Sequence, residues 1–452
     1  MFNGKQRIHF VGIGGSGMSG IAEVALNLGH QVSGSDIKKT EVTQRLKELG
    51  AKIYIGHKAE NVKNVDVVVT STAISKDNPE VKQAIKEKII IIPRIEMLAE
   101  LARLKYTITI AGTHGKTTTT SMTSMILDEG GFDPTIVIGG KLKNLKTNAR
   151  LGKGEYIIAE ADESDGSFLK LSPVLTIVTN IDNDHLDYYG SMENLKQAFI
   201  KHINSLPFYG CAMVCTDSPL VKEVLPYATR KYITYGFKGN PDITATDIKV
   251  VNGNTEYTVI YKGKKLGKIL LKVPGEHNVL NSLAAIGIGL QFDIPFVTIK
   301  EALFKFGGVG RRLEVKGEKN GITVIDDYGH HPTEINATLS ALKHNYPHKR
   351  LVTIFQPHRY TRTRNLYKEF GKALKKADVV YVMDIYAASE KPIKGVTSDL
   401  IITAAKENKC NVQKFVDISS VAKTLKENDI LLTLGAGNVW QQGEELLKHI
   451  EF

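Results

Sequence analysis

One short segment of the chain has the residue types that bind a nucleoside triphosphate. It reads Gly112-Thr113-His114-Gly115-Lys116-Thr117, follows a run rich in β-branched residues and precedes a stretch with helical periodicity. In such a loop, backbone N–H groups cradle the β- and γ-phosphates, Lys116 neutralises their charge and the Thr117 hydroxyl ligates Mg²⁺. The general P-loop has a glycine five positions before Gly115, where this chain has Ile110, so this phosphate loop (residues 112–117) is a shorter variant. We predict that it binds ATP.

Polar residues at the ends of two predicted strands could hold the metal ion of such a site. Glu160 comes directly after the strand at residues 156–159, and His185 comes shortly after the strand at residues 175–179. The carboxyl ends of parallel strands form the usual ligand edge of an open α/β sheet, and phosphoryl transfer to a carboxylate needs metal ions to offset charge. The alternative is that the acidic run is a solvated loop and His185 an ordinary loop histidine.

A second glycine-rich segment, Gly12-Ile13-Gly14-Gly15-Ser16-Gly17, follows the first predicted strand, and Asp36 ends the second strand. In a Rossmann unit such a glycine loop (residues 12–17) lets the backbone approach a diphosphate, while the acidic residue binds a ribose hydroxyl. Taken alone, the motif favours an NAD-dependent oxidoreductase, or else it is a tight packing turn without a ligand. Two phosphate-binding loops imply two anionic ligands. Because hydride transfer does not use ATP, an NAD-dependent oxidoreductase is the less favoured alternative.

The composition is that of a soluble globular enzyme. The chain has 452 residues, which corresponds to about three domains. The net charge of +11, from 59 Lys+Arg and 48 Asp+Glu, favours an anionic partner. The densest basic group, residues 358–364, is short and lies beside a predicted strand, which indicates a pocket and no nucleic-acid partner. A nucleic-acid-stimulated ATPase stays open as an alternative.

The number of cysteines and the length of the apolar runs indicate the cellular compartment of the protein. The three cysteines, Cys211, Cys215 and Cys410, form no CxxC pair or Cys/His cluster, which argues against a disulfide scaffold and a zinc site. Residues 1–10 lack an apolar segment behind a basic start, and no apolar run reaches about 18 residues. We expect a cytoplasmic protein without membrane insertion.

Strands and helices alternate three times along the chain, which predicts an α/β protein of three domains, each built on a mainly parallel sheet. We expect a Rossmann-like N-terminal domain at residues 1–106, a central P-loop ATPase-like domain at 107–308 and a Rossmann-like C-terminal domain at 309–452. Residues 248–273, with turn signals at Gly253-Asn254 and Gly263-Lys264, predict an antiparallel patch in the central domain.

With these residues in view, the chain is similar over its full length to the Mur ligase family, which builds the peptide of bacterial cell-wall precursors. The family motifs are the phosphate loop, Glu160-Ala161-Asp162-Glu163-Ser164, Asn180 with Asp184-His185, Gly275-Glu276-His277-Asn278 with Asn281, and Gly310-Arg311-Arg312. Residues 12–18, Gly34-Ser35-Asp36 and Asp326-Asp327-Tyr328-Gly329-His330-His331-Pro332-Thr333-Glu334 resemble the members that act on UDP-N-acetylmuramate and L-alanine.

The resemblance implies a set of binding residues for each ligand. The N-terminal domain would bind the UDP part of UDP-N-acetylmuramate through Gly12, Gly14, Gly15, Ser16, Gly17, Asp36, His57, Ser71, Thr72 and Ala73. The ATP residues would be Gly112, Thr113, His114, Gly115, Lys116, Thr117, Thr118, His277, Asn278, Asn281 and Arg311. The metal ligands, for Mg²⁺ or Mn²⁺, would be Thr117, Glu160 and His185. The L-alanine pocket would consist of Tyr328, His330, Arg359 and Arg362.

The implied reaction is ligation through an acyl-phosphate. ATP would phosphorylate the lactyl carboxylate of UDP-N-acetylmuramate, and the amine of L-alanine would displace phosphate, with Lys116, His185 and Arg311 as catalytic residues. Alternatives are a sibling ligase that recycles a whole tripeptide and, in a different class, the NAD-dependent oxidoreductase. The chain would be a monomer or a dimer. Several relatives bridge a second metal with a carbamylated lysine, where this chain has His202 beside Lys201.

Overall fold

The computed structural model describes residues 4–71, 73–138, 149–251, 253–388 and 390–449. They form two compact units. The first comprises residues 1–248, 257–270 and 280–306, and the second comprises residues 249–256, 271–279 and 307–452. Three sheets, with five, ten and six strands, correspond to the three predicted α/β blocks, so the predicted fold class is confirmed.

The first sheet is a parallel Rossmann-like sheet with strand order β3-β2-β1-β4-β5. Its strands are β1 (Arg7–Val11), β2 (Gln31–Asp36), β3 (Lys52–Ile55), β4 (Val67–Thr70) and β5 (Ile90–Pro93). The helices are α1 (Ser16–Asn27), α2 (Glu41–Glu48), α3 (Pro79–Lys86) and α4 (Arg94–Ala102). Crossover helices between parallel strands bring the strand carboxyl ends to one edge, so the loops after β1, β2, β3 and β4 meet there.

The second sheet has ten strands in the order β15-β14-β13-β12-β11-β10-β6-β9-β7-β8. They are β6 (Tyr106–Ala111), β7 (Thr135–Val137), β8 (Ala149–Arg150), β9 (Tyr156–Glu160), β10 (Leu175–Val178), β11 (Cys211–Cys215), β12 (Tyr232–Tyr235), β13 (Ile243–Val251), β14 (Asn254–Tyr261) and β15 (Lys264–Leu271). The helices are α5 (Lys116–Glu129), α6 (Leu186–Tyr189), α7 (Met192–Asn204), α8 (Pro219–Val224), α9 (Glu276–Gln291) and α10 (Phe296–Lys305). The neighbours β13, β14 and β15 are joined by two-residue connections, which fit only antiparallel strands, as predicted.

The third sheet lies in the second unit and has the order β16-β17-β21-β18-β19-β20, parallel except for the pair β16–β17. Its strands are β16 (Glu314–Lys319), β17 (Ile322–Asp327), β18 (Leu351–Phe355), β19 (Val379–Val382), β20 (Val412–Lys414) and β21 (Ile430–Leu434). Its helices are α11 (Pro332–Asn345), α12 (Tyr360–Leu374), α13 (Asp399–Glu407), α14 (Ile418–Ala422) and α15 (Trp440–His449). Among the described residues, no helix combines the length and apolarity that crossing a membrane requires.

The core of the first unit contains a buried histidine on α7, His202. Its ring stacks on Phe168, with centroids 4.9 Å apart, and Nε2 lies 2.9 Å from Thr176 Oγ1 and 3.3 Å from Thr109 Oγ1. The ring is fully buried, whereas the neighbouring Lys201 is exposed. Burial lowers the pKa of His202 to about 4, because a charged imidazole would lose its hydration in the core.

This burial predicts a pH-dependent stability. Between about pH 4 and 6.5 the unfolded chain binds a proton at His202 that the folded chain does not, so stability rises with pH across this window. We expect His202 to account for a loss of about 2 kcal/mol in the free energy of unfolding between pH 7.5 and pH 5. Urea unfolding at both pH values should show this loss reduced in His202→Gln and unchanged in the control His344→Gln, an exposed position on α11. Equal pH dependence in the wild type and His202→Gln would contradict it.

Candidate active site

The glycine loop opens a cavity of about 580 Å³ in the first unit. Gly12 and Ile13 donate their backbone N–H groups to Ser35 O on the neighbouring strand, which fixes the loop at the carboxyl end of β1. The cavity is lined by Gly12, Gly15, Gly17, Met18, Asp36, Ile37, His57, Ser71, Ala73, Ile74, Arg94, Leu98, Val137, Ile138, Glu160 and Asp162. The structure thus brings seven of the ten residues predicted to bind UDP to one cavity. Thr72 lies outside the described residues.

Asp36 and Arg94 are charged residues of this cavity that lie against the glycine loop. Asp36 Oδ2 accepts a hydrogen bond from Gly14 N at 2.9 Å, so the carboxylate braces the glycine loop as well as lining the cavity. Arg94, the first residue of α4, lies so close to Gly17 that a side chain there would have its Cβ 2.5 Å from the guanidinium. The lack of a side chain at Gly17 lets the guanidinium lie against the start of α1, where an anion would bind.

The phosphate loop follows β6 and leads into α5, as predicted. Lys116 begins the helix, and its ammonium donates to Gly112 O at 2.6 Å and to Thr113 O at 3.2 Å. It also donates to the two carboxylate oxygens of Glu163, at 2.8 and 3.1 Å. The ammonium is thus held inside the loop. The N-terminus of α5 and the half-buried Thr117 lie beside the loop. Thr118, one residue further along α5, is buried.

The residues after β9 surround the Lys116 ammonium with negative charge. Glu163 is almost fully buried, at 1% side-chain exposure, and is the partner of the ammonium. Burial alone would lower the pKa of Lys116, but the charges of Glu163 and Asp162 outweigh it and raise the pKa above its usual value. For Asp162 the effect of burial is the opposite and would raise the pKa, but the charge of Lys116 and the hydrogen bonds from Ser164 lower the pKa of Asp162. The lysine and Asp162 are therefore charged at neutral pH.

His185 joins this cluster from the loop after β10. Its Nε2 lies 3.9 Å from Glu163 Oε1 and 3.6 Å from Asp184 Oδ2, and its backbone has φ 59° in the left-handed region. Such backbone strain in a non-glycine residue is common at functional sites. The structure therefore places His185 and Lys116 against the same carboxylate, while Glu160 at the end of β9 is half-buried and faces the cavity.

Other residues predicted to bind ATP adjoin the phosphate loop. His114 Nε2 lies 3.0 Å from Asp182 Oδ2, and His114 N donates to Asn180 Oδ1 at 2.9 Å, which ties the loop to the end of β10. A Cβ at Gly115 would lie 2.6 Å from Asn281 Oδ1, so the buried Asn281 of α9 packs directly against the loop.

The two other α9 residues predicted for ATP, His277 and Asn278, belong to the second unit. Asn278 Nδ2 donates to Pro274 O at 2.7 Å. Burial and the positive charge of Arg312, which outweigh the attraction of Glu334, lower the pKa of His277 to about 4, so this ring is neutral at pH 7.

Arg311, predicted to reach the ATP phosphates, is held within the second unit. Its Nε donates to Asp326 Oδ2 at 2.9 Å and its Nη2 to Gly435 O at 2.7 Å, and the guanidinium lies 5.0 Å from the Tyr328 ring centroid. Together with the bond from Nη1 to Gly437 O, these contacts use three of the five N–H donors of the guanidinium.

The four residues predicted to bind an amino acid all follow the carboxyl ends of β17 and β18. The His330 ring lies 5.4 Å from Tyr328 and 5.5 Å from His358, and Arg362 Nη1 lies 3.4 Å from His358 Nδ1. Arg362 is buried, at 8% exposure, so it is not a solvated helix charge. Burial and the neighbouring Arg362 and His358, partly offset by Glu334, lower the pKa of His330 to about 3, so it is neutral.

Arg359 has the most unusual conformation in this pocket. It precedes α12 with φ 70° and ψ 141°, and its backbone N–H donates to Tyr386 O at 2.9 Å. Its Nε is buried and has no hydrogen-bond partner in the described part of the chain. Backbone strain and a buried donor without a partner are both typical of functional sites. A cationic donor is suited to an anionic ligand.

Comparison with known proteins gives the same family along the whole chain. Residues 7–106 match the model of the Mur ligase family catalytic domain, residues 110–289 the Mur ligase middle domain, and residues 311–437 the Mur ligase glutamate ligase domain. A protein from Endomicrobium trichonymphae named UDP-N-acetylmuramate–L-alanine ligase is 64% identical over 447 residues, which cover 99% of both chains.

The chain belongs to the Mur ligase family.

Two solved structures extend this likeness to three dimensions. The UDP-N-acetylmuramate-alanine ligase of Thermotoga maritima has a TM-score of 0.83 and 32% identity, and the match covers 98% of each chain. A murein peptide ligase from Psychrobacter arcticus has a TM-score of 0.73 at 24% identity over 99% of this chain and 100% of that one. The second likeness concerns the fold alone.

Sequence reasoning assigned no role to Arg94, Glu163 or Asp162 in this Mur ligase. Glu163 and Asp162 lie in the acidic run that drew attention to Glu160, but the partner of Glu163 is 47 residues away in the chain. Arg94 stands alone in the sequence, and its packing on Gly17 connects it to the glycine loop.

The buried pair Lys116–Glu163 predicts a strong energetic coupling. Because removing one partner leaves the other charge buried and unpaired, Lys116→Met should lower the free energy of unfolding by about 3 to 5 kcal/mol. The double variant Lys116→Met/Glu163→Gln should be less destabilised than the sum of the single variants by about 2 kcal/mol or more. Urea unfolding without nucleotide measures both quantities.

An exposed pair of the same chemistry is the control. Lys170→Met, which breaks the pair with Glu96, should cost about 1 kcal/mol or less because both groups are nearly half exposed. Additive effects of Lys116→Met and Glu163→Gln would show that the two charges do not depend on each other.

Proposed function

We propose that this Mur ligase joins L-alanine to the lactyl carboxylate of UDP-N-acetylmuramate at the expense of ATP, through an acyl-phosphate, in peptidoglycan precursor synthesis. The observation that carries the proposal is the single cavity that combines the glycine loop with Glu160 and Asp162 of the acidic run next to Lys116. A UDP-sugar bound at the glycine loop would extend its carboxylate toward the γ-phosphate. The names of the Endomicrobium and Thermotoga relatives support the same reaction.

The donor set fits a hard divalent cation. Glu160 offers carboxylate oxygens to the cavity, and Thr117 offers a hydroxyl at the start of α5, which are the ligand types that Mg²⁺ and Mn²⁺ prefer. We assign Glu160, Thr117 and His185 as the metal-holding residues. The ion would offset the charge that builds up as the carboxylate approaches the γ-phosphate.

The chain's own residues bind the phosphates and align the reacting groups. Backbone N–H groups at the start of α5 and the Lys116 ammonium bind the β- and γ-phosphates, and Lys116 exchanges part of its contact with Glu163 for phosphate oxygens. A carboxylate oxygen attacks the γ-phosphorus, ADP leaves, and the alanine amine then attacks the acyl carbon and expels phosphate. Alignment of the reacting groups can contribute about 7 to 11 kcal/mol, so His185 need not act as a base.

The pocket of Tyr328, His330, Arg359 and Arg362 suits the amino acid. Two guanidinium groups can bind its carboxylate, and the neutral His330 adds no positive charge against its amine. A ligase for a whole tripeptide is the second candidate, which the sequence resemblance to the Mur ligase family left open. We further propose functional domains at residues 1–106, 107–308 and 309–452, a cytoplasmic location, and a monomer or dimer without a nucleic-acid partner.

The test is ADP release with UDP-N-acetylmuramate, Mg²⁺ and a panel of acceptors: L-alanine, glycine, L-serine and an L-alanine-led tripeptide. We expect the highest kcat/KM for L-alanine, with glycine and serine lower by about 10- to 200-fold, because a pocket discriminates single small groups only modestly. The tripeptide should give no product. A preference for the tripeptide would contradict L-alanine as the acceptor and would show that the protein is the tripeptide-recycling ligase.

Lys116→Ala supplies the matched test of the phosphate loop. It should retain binding of UDP-N-acetylmuramate and lose at least about 100-fold in ADP release, because the cation acts on the phosphates. Lys47→Ala, an exposed position on α2, should behave as the wild type. Undiminished ATP turnover in Lys116→Ala would overturn the proposed mechanism.

A further inference from the structure

Glu80, in the first turn of α3, is a fully buried carboxylate that the proposed reaction does not use. Its Oε2 accepts a hydrogen bond from Ser35 Oγ at 2.6 Å and lies 3.1 Å from His57 Nδ1. Its Oε1 accepts from Asn61 Nδ2 at 2.6 Å. Burying an unpaired carboxylate is unfavourable by several kcal/mol, so a fold keeps one only with a full set of partners.

The surroundings keep this carboxyl group ionised. Burial alone would raise its pKa, but the neighbouring His9 and the hydrogen bonds from Ser35 and Asn61 outweigh burial and lower the pKa of Glu80 to about 2. His9 Nε2 is fully buried at 3.7 Å from Glu80 Oε1, and the other ring nitrogen of His9 is bonded to Ser33 Oγ at 2.9 Å. His9 on β1 therefore lies beside the Glu80 carboxylate within the core, and His57 contacts the carboxylate from the side of the cavity.

The ionised carboxylate determines which nitrogen of His57 can meet a ligand. A carboxylate only accepts hydrogen bonds, so the His57 Nδ1 that faces it carries a proton. Ser35 Oγ lies 2.9 Å from the same Nδ1 and donates its own proton to Glu80, which fixes the ring from two sides. His57 is 18% exposed and lines the cavity, so Nε2 is the nitrogen left for a bound molecule.

We propose that Glu80 is a positioning residue for the nucleotide-diphosphate substrate and acts through His57. The carboxylate holds the ring by Nδ1 and balances the charge of an imidazolium, so that Nε2 can donate a hydrogen bond to a phosphate oxygen in the cavity. This inference rests on the proposed function, since it takes a UDP-sugar as the occupant. The Asn78-Pro79-Glu80 start of α3 is thus part of the substrate site as well as a helix start.

The test is a double-mutant cycle on UDP binding and substrate kinetics in the full-length protein. Glu80→Gln keeps the shape and removes the charge; it should raise the Kd for UDP and the KM for UDP-N-acetylmuramate about 10-fold. The kcat and the KM for ATP should stay within about twofold, which a general structural defect would not allow. His57→Gln should have a similar effect, and the double variant should be no weaker than His57→Gln by more than about twofold. Glu87→Gln, exposed at the other end of α3, is the control.

Three outcomes separate the possibilities. If the losses from Glu80→Gln and His57→Gln multiply in the double variant, or if Glu80→Gln binds UDP as the wild type does, the inference is overturned and the proposed function stands. If the wild type does not bind UDP, the proposed function fails first. Should Glu80→Gln not fold, the ¹⁵N spectrum of histidine-labelled wild type decides: we expect His57 Nδ1 to be protonated without ligand, and a non-protonated Nδ1 would overturn the inference.

Discussion

The buried ion pair between Lys116 and Glu163 is the interaction on which the arrangement of the first unit's site depends. It joins the loop after β6 to the loop after β9, and it keeps a cation in the phosphate loop before any phosphate is present. A buried ammonium without a counter-charge would lose its proton or unfold the loop. Because Glu163 and Asp162 supply that charge, Lys116 stays protonated and the loop keeps the shape that a triphosphate requires.

Parallel sheet topology then brings two such loops to ligand edges in the same unit. The glycine loop follows β1 and the phosphate loop follows β6, and residues of the acidic run line the cavity that the glycine loop opens. Each loop leads into a helix N-terminus, which attracts anions without any charged side chain. Arg94 and Lys116 add localised positive charge around this frame, while Glu80 and Glu163, which do not line the cavity, lie behind His57 and Lys116.

Local sequence was enough to predict what depends on neighbours in the chain. Strand, glycine turn and helix follow one another within about 20 residues at both loops, so their type and order could be predicted. Pairings between distant segments could not be derived this way. Glu80 meets Ser35, 45 residues away, and Glu163 meets Lys116, 47 residues away, and neither carboxylate differs from a surface glutamate by its neighbours alone. The buried state of Arg362 and the unsatisfied Nε of Arg359 likewise emerge only after the helix and sheet have packed.

The central claim is that the γ-phosphate passes to the substrate carboxylate before the amide bond forms. Its most direct test is a reaction with UDP-N-acetylmuramate that carries ¹⁸O in both oxygens of the lactyl carboxylate. An acyl-phosphate requires one of these oxygens to leave with the phosphate, so the account predicts one ¹⁸O atom in the inorganic phosphate for each amide bond made. Inorganic phosphate free of ¹⁸O, formed together with the alanyl product, would contradict it.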